Sequence, residues 1–298
     1  MTLSREQLRA FLHLEEPSIA LRDRREEARD GYVVEHLSFE IGPGNVVRGL
    51  LTRPPGEARS AAVLYAHSHG DRHDIGASEL LDGRDYLLSP WGPLLARSGY
   101  VALCIDMPSF GSQSAPTESA AAKALIWYGR SLIGRMLEQQ MAALTYLSSR
   151  DDVDAARIGG FGISLGSTLS YWQAAVDTRL RAIAHLCCFA DYATLVELGA
   201  HDHHGIYLLV PGLLNETSTG RIAGLVAPRP QLICVGRLDE LTPPLSVERA
   251  LAETREMYRD ADAAEALSFF EEPGAGHQET PEMRSRVLAH FARHLRMQ

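Results

Sequence analysis

Six short apolar runs, at 61–66, 100–105, 157–161, 180–186, 231–235 and 267–270, are nearly free of polar residues and are separated by segments long enough for helices. A strand with one wet face alternates apolar and polar residues. Short unbroken runs belong to strands covered on both faces, as in a mostly parallel sheet flanked by helices. Ahead of them, 33–40 and 46–52 flank Ile41-Gly42-Pro43-Gly44-Asn45 and read as an antiparallel hairpin. A hairpin followed by strand–helix units predicts an α/β open sheet of about eight strands. Residues 4–30 read differently, as one or two charged helices with Leu8, Phe11, Leu12 and Leu14 on one side. The expected organisation is an N-terminal helical extension (1–31) on one domain (32–298).

Open α/β sheets bind ligands at the carboxyl ends of their strands. Residues of catalytic type follow the runs directly: His67-Ser68-His69-Gly70, Asp106, Ser164, Asp191 and Asp239, with His277 in a loop after the last run. The stretch 189–228 is too long for a plain sheet connection and is the candidate cap over such a site.

Ser164 stands in Gly162-Ile163-Ser164-Leu165-Gly166, a Gly-x-Ser-x-Gly frame at a strand end. A nucleophile on a sharp strand-to-helix turn has a strained backbone, and side chains two residues either side would collide with it, so glycines belong there. A serine hydroxyl is a weak nucleophile at neutral pH. It needs a histidine to take its proton and an acid to orient that histidine. Asp239 and His277 supply these in the chain order Ser, Asp, His; Glu240 and Asp191 are the alternative acids. The oxyanion of the transition state calls for two backbone N–H donors: Leu165, after the nucleophile, and His69 in the loop after 61–66, with Ser68 as the alternative.

With these elements in place the chain resembles the α/β-hydrolase superfamily over nearly everything after about residue 32. Within it, the chain is most similar to the dienelactone hydrolase and acetyl xylan esterase-like branch. The resemblance rests on His67-Ser68-His69-Gly70, on 151–159 before the elbow, on Ala227-Pro228-Arg229-Pro230 leading to Gly236 and Asp239, and on His204-Gly205-Ile206-Tyr207 through Pro211-Gly212-Leu213-Leu214. It implies cofactor-free hydrolysis of a small-molecule ester through an acyl-enzyme. Amide, lactone or carbon–carbon bond hydrolysis by the same triad and a non-catalytic binding protein on this fold are the alternatives. Ser167 departs from the glycine or alanine found in many relatives and is the first place to look for a difference in substrate.

A formal charge of −9 with dispersed Lys and Arg leaves no basic face for nucleic acid. The first residues carry no apolar signal core, and no stretch approaches the roughly 20 apolar residues of a membrane span, so a soluble cytoplasmic protein is expected. Cys104, Cys187, Cys188 and Cys234 read as buried free thiols. The clusters His201/His203/His204 with Asp202, and His67/His69/His73 with Asp71 and Asp74, are each too tight in one loop to converge on a metal, so no metal site is expected. Asp106 is expected to hydrogen-bond within its loop, and Trp127 and Tyr128 to lie in the core rather than in a substrate wall. Whether the chain forms a homo-oligomer is left open.

Overall fold

The computed structural model describes residues 3–56 and 58–296. Nine strands form one sheet: β1 (Ile19–Arg29), β2 (Tyr32–Ile41), β3 (Val46–Arg53), β4 (Ser60–Ala66), β5 (Val101–Ile105), β6 (Val153–Ile163), β7 (Ala182–Leu186), β8 (Gln231–Gly236) and β9 (Leu267–Glu272). Their order is β1-β2-β3-β5-β4-β6-β7-β8-β9. The pairs from β1 to β5 are antiparallel and those from β5 through β9 are parallel. The six apolar runs fall in β4 to β9, and the expected hairpin is β2/β3.

Burial on both faces explains the unbroken runs. Along β4, Val63 and Tyr65 join Trp91, Phe161 and Phe291 in one core, while Ala62 and Leu64 join Leu144, Leu147 and Ile183 in the other. The helices Trp91–Arg97 and Pro281–Leu295 cover the first face; Leu132–Ser148 and Leu165–Val176 cover the second. Phe161 sits at 4.5 to 6.1 Å between the rings of Trp91, Tyr65 and Phe291, all edge-on to it.

The expected helices at 4–30 are corrected. Only Arg5–Phe11 is helical, capped by Ser4, whose hydroxyl accepts from the Gln7 N–H while the Gln7 side chain accepts from the Ser4 N–H. Residues 19–29 form β1, paired with β2 from Ile19↔Ile41 to Arg29↔Tyr32. The segment IALRDRREEAR has strong helix formers, but its apolar residues are too few to give a helix a buried face. The free edge of β2 offers it hydrogen bonds and charge partners instead. Glu35 of β2 is fully buried and accepts from Arg24 of β1 (2.9 Å), Arg53 of β3 (2.8 Å) and Arg150 (2.8 Å).

Trp127 and Tyr128 are also corrected. They are 88% and 84% exposed, because helix Glu118–Trp127 buries only Glu118 and Ala122 and turns its far end outward. The four cysteines are buried free thiols. Between β7 and β8, the 189–228 stretch folds into short helical turns, Tyr192–Leu198, Ala200–His203, Ile206–Leu208, Leu213–Glu216 and Thr219–Gly224. Among the described residues no helix is long and apolar enough to cross a membrane.

Candidate active site

The chain leaves β4 toward β5 on one side and leaves β6 toward β7 on the other, while β4 and β6 are neighbours. That reversal opens a crevice at the carboxyl ends of β4 and β6. Ser164 lies there, between the end of β6 and helix Leu165–Val176, at φ 59° and ψ −124°. A Cβ on Gly162 would lie 2.4 Å from the Gly166 carbonyl carbon, and one on Gly166 would lie 1.9 Å from the Ala66 oxygen. Both glycines therefore act as the expected clearance, and the second lets the elbow touch the end of β4.

Asp239 follows β8 and is 2% exposed. Its Oδ1 accepts from the Leu241 N–H at 2.9 Å and its Oδ2 from His277 Nδ1 at 2.7 Å. The acid and base loops are joined by the Leu238 N–H to Ala275 oxygen bond of 2.9 Å. A Cβ on Gly236 would come within 2.2 Å of the Gly276 oxygen, so only glycine lets these loops close. With its proton on Nδ1, His277 presents Nε2 as a base. The alternative acids fall away: Glu240 is exposed, and Asp191 caps helix Tyr192–Leu198 through Thr194 at 2.9 and 2.6 Å. Among the described residues no hydrogen bond joins Ser164 Oγ to His277. The strand β7 brings them to one place. Ser164 N–H donates to Leu186 at 3.0 Å, and the next residue, Cys187, has its sulfur within 4.8 Å of ligand atoms of both Asp239 and His277. In unliganded enzymes catalytic hydrogen bonds are often long or poorly aligned and tighten only with substrate bound.

The loop after β4 is anchored by residues that sequence reasoning missed. Glu79, fully buried, accepts from the Ser68 N–H at 3.1 Å, Tyr65 Oη at 2.7 Å, Arg84 Nε at 2.8 Å and the Ser68 hydroxyl. Arg84 Nη2 donates to the carbonyls of Ser68 (3.2 Å) and His69 (2.8 Å). Tyr86 donates to Ser68 Oγ at 2.5 Å, and its ring stands edge-on to that of His277 with the ring centres 6.2 Å apart. Glu79 thus occupies the Ser68 amide, which removes Ser68 as an oxyanion donor. The amides of His69 and Leu165 have no backbone partner among the described residues. Leu165 opens its helix, where N–H groups are intrinsically unpaired and the helix dipole favours an anion.

No family model matches the chain. Among solved structures it superposes on acetyl xylan esterase 1 from Thermoanaerobacterium sp. JW/SL YS485, with a TM-score of 0.64 at 15% identity, over 97% of this chain and 92% of that one. It superposes on a glucuronoyl esterase from Solibacter usitatus with a TM-score of 0.69 at 14% identity, over 97% and 91%. Sequence similarity reaches further to YtaP of Bacillus subtilis (strain 168), named as a hydrolase: 34% identity over 272 residues, 91% of each chain. The chain belongs to the α/β-hydrolase family.

In this hydrolase the other histidines have structural partners. His67 Nδ1 donates to the Ser68 carbonyl at 2.9 Å and its Nε2 accepts from the Met107 N–H at 3.2 Å; burial lowers its pKa. His204 bonds the Leu241 carbonyl at 2.9 Å, and His201 and His203 are exposed, so that trio does not converge. His69, His73 and Glu118 do converge, with ligand atoms within 4.8 Å of one another. The Asp71 N–H donates to His69 Nδ1 at 3.1 Å, which puts the ring proton on Nε2, facing Glu118 Oε2 at 2.5 Å. As it stands that is a hydrogen-bonded set.

Asp106 is the expected loop anchor. It accepts from Arg48 at 3.0 and 3.1 Å, from the Ala77 N–H at 2.6 Å and from the Ser112 N–H at 2.7 Å. Burial pushes its carboxyl pKa up, but Arg48 and the amides outweigh that and leave it lowered. Ser167 corrects an expectation. It is fully buried and faces His185 of β7 rather than the crevice, with Oγ 3.1 Å from Nδ1. His185 Nε2 in turn accepts from the Gln231 side chain at 3.0 Å, and Tyr258 donates to Gln231 Oε1 at 3.0 Å. Ser167 belongs to a polar chain through the core behind Ser164.

Proposed function

We propose that the chain hydrolyses a small-molecule carboxylic ester through an acyl-enzyme on Ser164. The observation that carries this is the 2.7 Å Asp239–His277 bond at the carboxyl end of the strands, where the positive-φ elbow of Ser164 also lies. Kinship with a hydrolase supports it, and so does a fold shared with proteins named as esterases.

As Ser164 Oγ attacks the ester carbonyl carbon, its proton passes to His277 Nε2, and Asp239 stabilises the imidazolium. The carbonyl electron pair moves onto oxygen, where the N–H groups of His69 and Leu165 receive it; one such donor is worth roughly 3 kcal/mol. Collapse expels the alcohol oxygen, which takes the proton from His277. A water then gives a proton to His277 and attacks the acyl carbon. The acid departs as Ser164 recovers its hydrogen, so the cycle closes without a cofactor. The 189–228 stretch serves as the cap: the Tyr207 ring stacks on His69 at 5.4 Å and His204 bonds the acid loop at Leu241.

Labelling with a fluorophosphonate tests the reading. The native chain should be labelled once and should turn over simple 4-nitrophenyl esters, and Ser164→Ala should do neither. Labelling that persists in Ser164→Ala would sink it.

A further inference from the structure

Glu118 is not part of the triad or the oxyanion pair, yet it joins two elements that flank them. It is the first residue of helix Glu118–Trp127, and its side chain is 9% exposed. A first-turn carboxylate often serves only its own helix. Here Thr117 already caps that helix through the Ala120 N–H, and both Glu118 oxygens point elsewhere. Oε2 accepts from His69 Nε2 at 2.5 Å, and Oε1 accepts from the Tyr207 N–H at 3.2 Å.

We propose that Glu118 is a positioning residue for the oxyanion loop, locking the His69 ring to the main chain of the 206–208 turn so that loop and cap are set as one unit. The inference rests on the ester-hydrolase reading. The His69 ring is held at both nitrogens, by Glu118 and by the Asp71 N–H. Its faces and edges are also filled: Tyr207 stacks on it at 5.4 Å, and Phe110 and His73 meet it edge-on at 5.1 Å each. Arg84 fixes the His69 carbonyl. Among the described residues the His69 N–H has no partner, and its direction follows from these restraints.

The cap approaches Glu118 so closely that a Cβ on Gly205 would lie 2.8 Å from Oε1 and 2.7 Å from the Tyr207 ring. Burial raises the Glu118 pKa, but the His69 bond and the Tyr207 amide outweigh it and keep the group ionised. An ionised carboxylate can accept from both donors at once; a neutral acid cannot do so equally well.

The test uses one ester, 4-nitrophenyl acetate, and a boronic acid that adds to Ser164 as a tetrahedral anion. Both are measured on the native chain, Glu118→Ala, His69→Ala, the double variant and Glu118→Gln. His69→Ala keeps its backbone amide and loses only the ring. Each single alanine variant should lower kcat by about 10- to 100-fold, with KM within about twofold, as expected when a donor is misaimed rather than removed. Boronate affinity should fall by the same factor as kcat. The double variant should be no worse than the poorer single one, because both changes break one link. Glu118→Gln, which keeps one acceptor oxygen, should recover part of the loss. Losses that multiply in the double variant, a raised KM at unchanged kcat, or a lowered Tm with normal kcat would each overturn the proposal. If Ser164→Ala is inactive and Glu118→Ala is unimpaired, this inference alone fails; if Ser164→Ala retains activity, the ester-hydrolase reading fails first.

Discussion

His185 makes the fold sensitive to mild acid in a way that can be worked out from its surroundings. It is fully buried in β7, flanked by the rings of Tyr171 and Phe189, with Ser167 and Gln231 on its two nitrogens. Burial, with a smaller contribution from His290, holds its pKa down to about 3 from the ordinary 6.5. Protonating Nε2 would also turn it into a donor facing the Gln231 amide N–H. The folded pKa lies below the unfolded one, so the stability tied to the neutral ring is fully present above about pH 6.5 and is lost as pH falls toward 3. Between pH 7 and pH 5 only the unfolded chain gains the proton, and that single group should cost about 2 kcal/mol. Urea unfolding at the two pH values measures it. His185→Gln, which cannot titrate, should abolish about 2 kcal/mol of the difference while leaving the share of His290, itself held down to about 3 by burial. Equal pH dependence in the native chain and His185→Gln would refute the reasoning.

Asp239→Asn should keep the fold and lower kcat by about 10⁴-fold by losing the correct His277 tautomer, read from steady-state kinetics. Glu79→Gln removes the charge facing Arg84, which is 4% exposed at its side chain. It should destabilise by about 3 kcal/mol, read as a Tm fall of roughly 6 to 12 °C, and should also depress kcat because the NH2 that replaces one oxygen cannot accept from the four donors that hold this loop. Phe161→Ala empties the space between Trp91, Tyr65 and Phe291 and should cost about 3 to 5 kcal/mol in urea unfolding, with the active-site loops intact.

What the sequence makes legible is whatever is local and periodic. Unbroken apolar runs announce strands that must be covered twice, and the Gly162 and Gly166 frame announces an elbow because the backbone there admits nothing larger. Asp239 and His277 follow from chain order alone, and the structure joins them. Glu79 and Glu118 are not legible, since nothing in a charged surface-like segment says which carboxylate a distant arginine or histidine will draw inside. β1 escapes for the same reason. Its charges suit a solvated helix until Glu35, on another strand, gathers three arginines. Ser167 is read as a neighbour of the substrate because it is close in sequence to Ser164. One step along a helix turns a side chain by about 100°, and three steps carry it to the β7 side.

The contact between Gly166 and the Ala66 carbonyl joins the elbow to the strand that carries the oxyanion loop. On the ester-hydrolase reading, main chain against main chain thus sets how far the Ser164 turn sits from the end of β4, and the side chains around His69 set the rest. On the same reading, selection could rewrite the turns of 189–228 for a new acyl group or alcohol only where they leave the Glu118–Tyr207 link in place, so part of this stretch is free to vary with the substrate and part is tied to the chemistry.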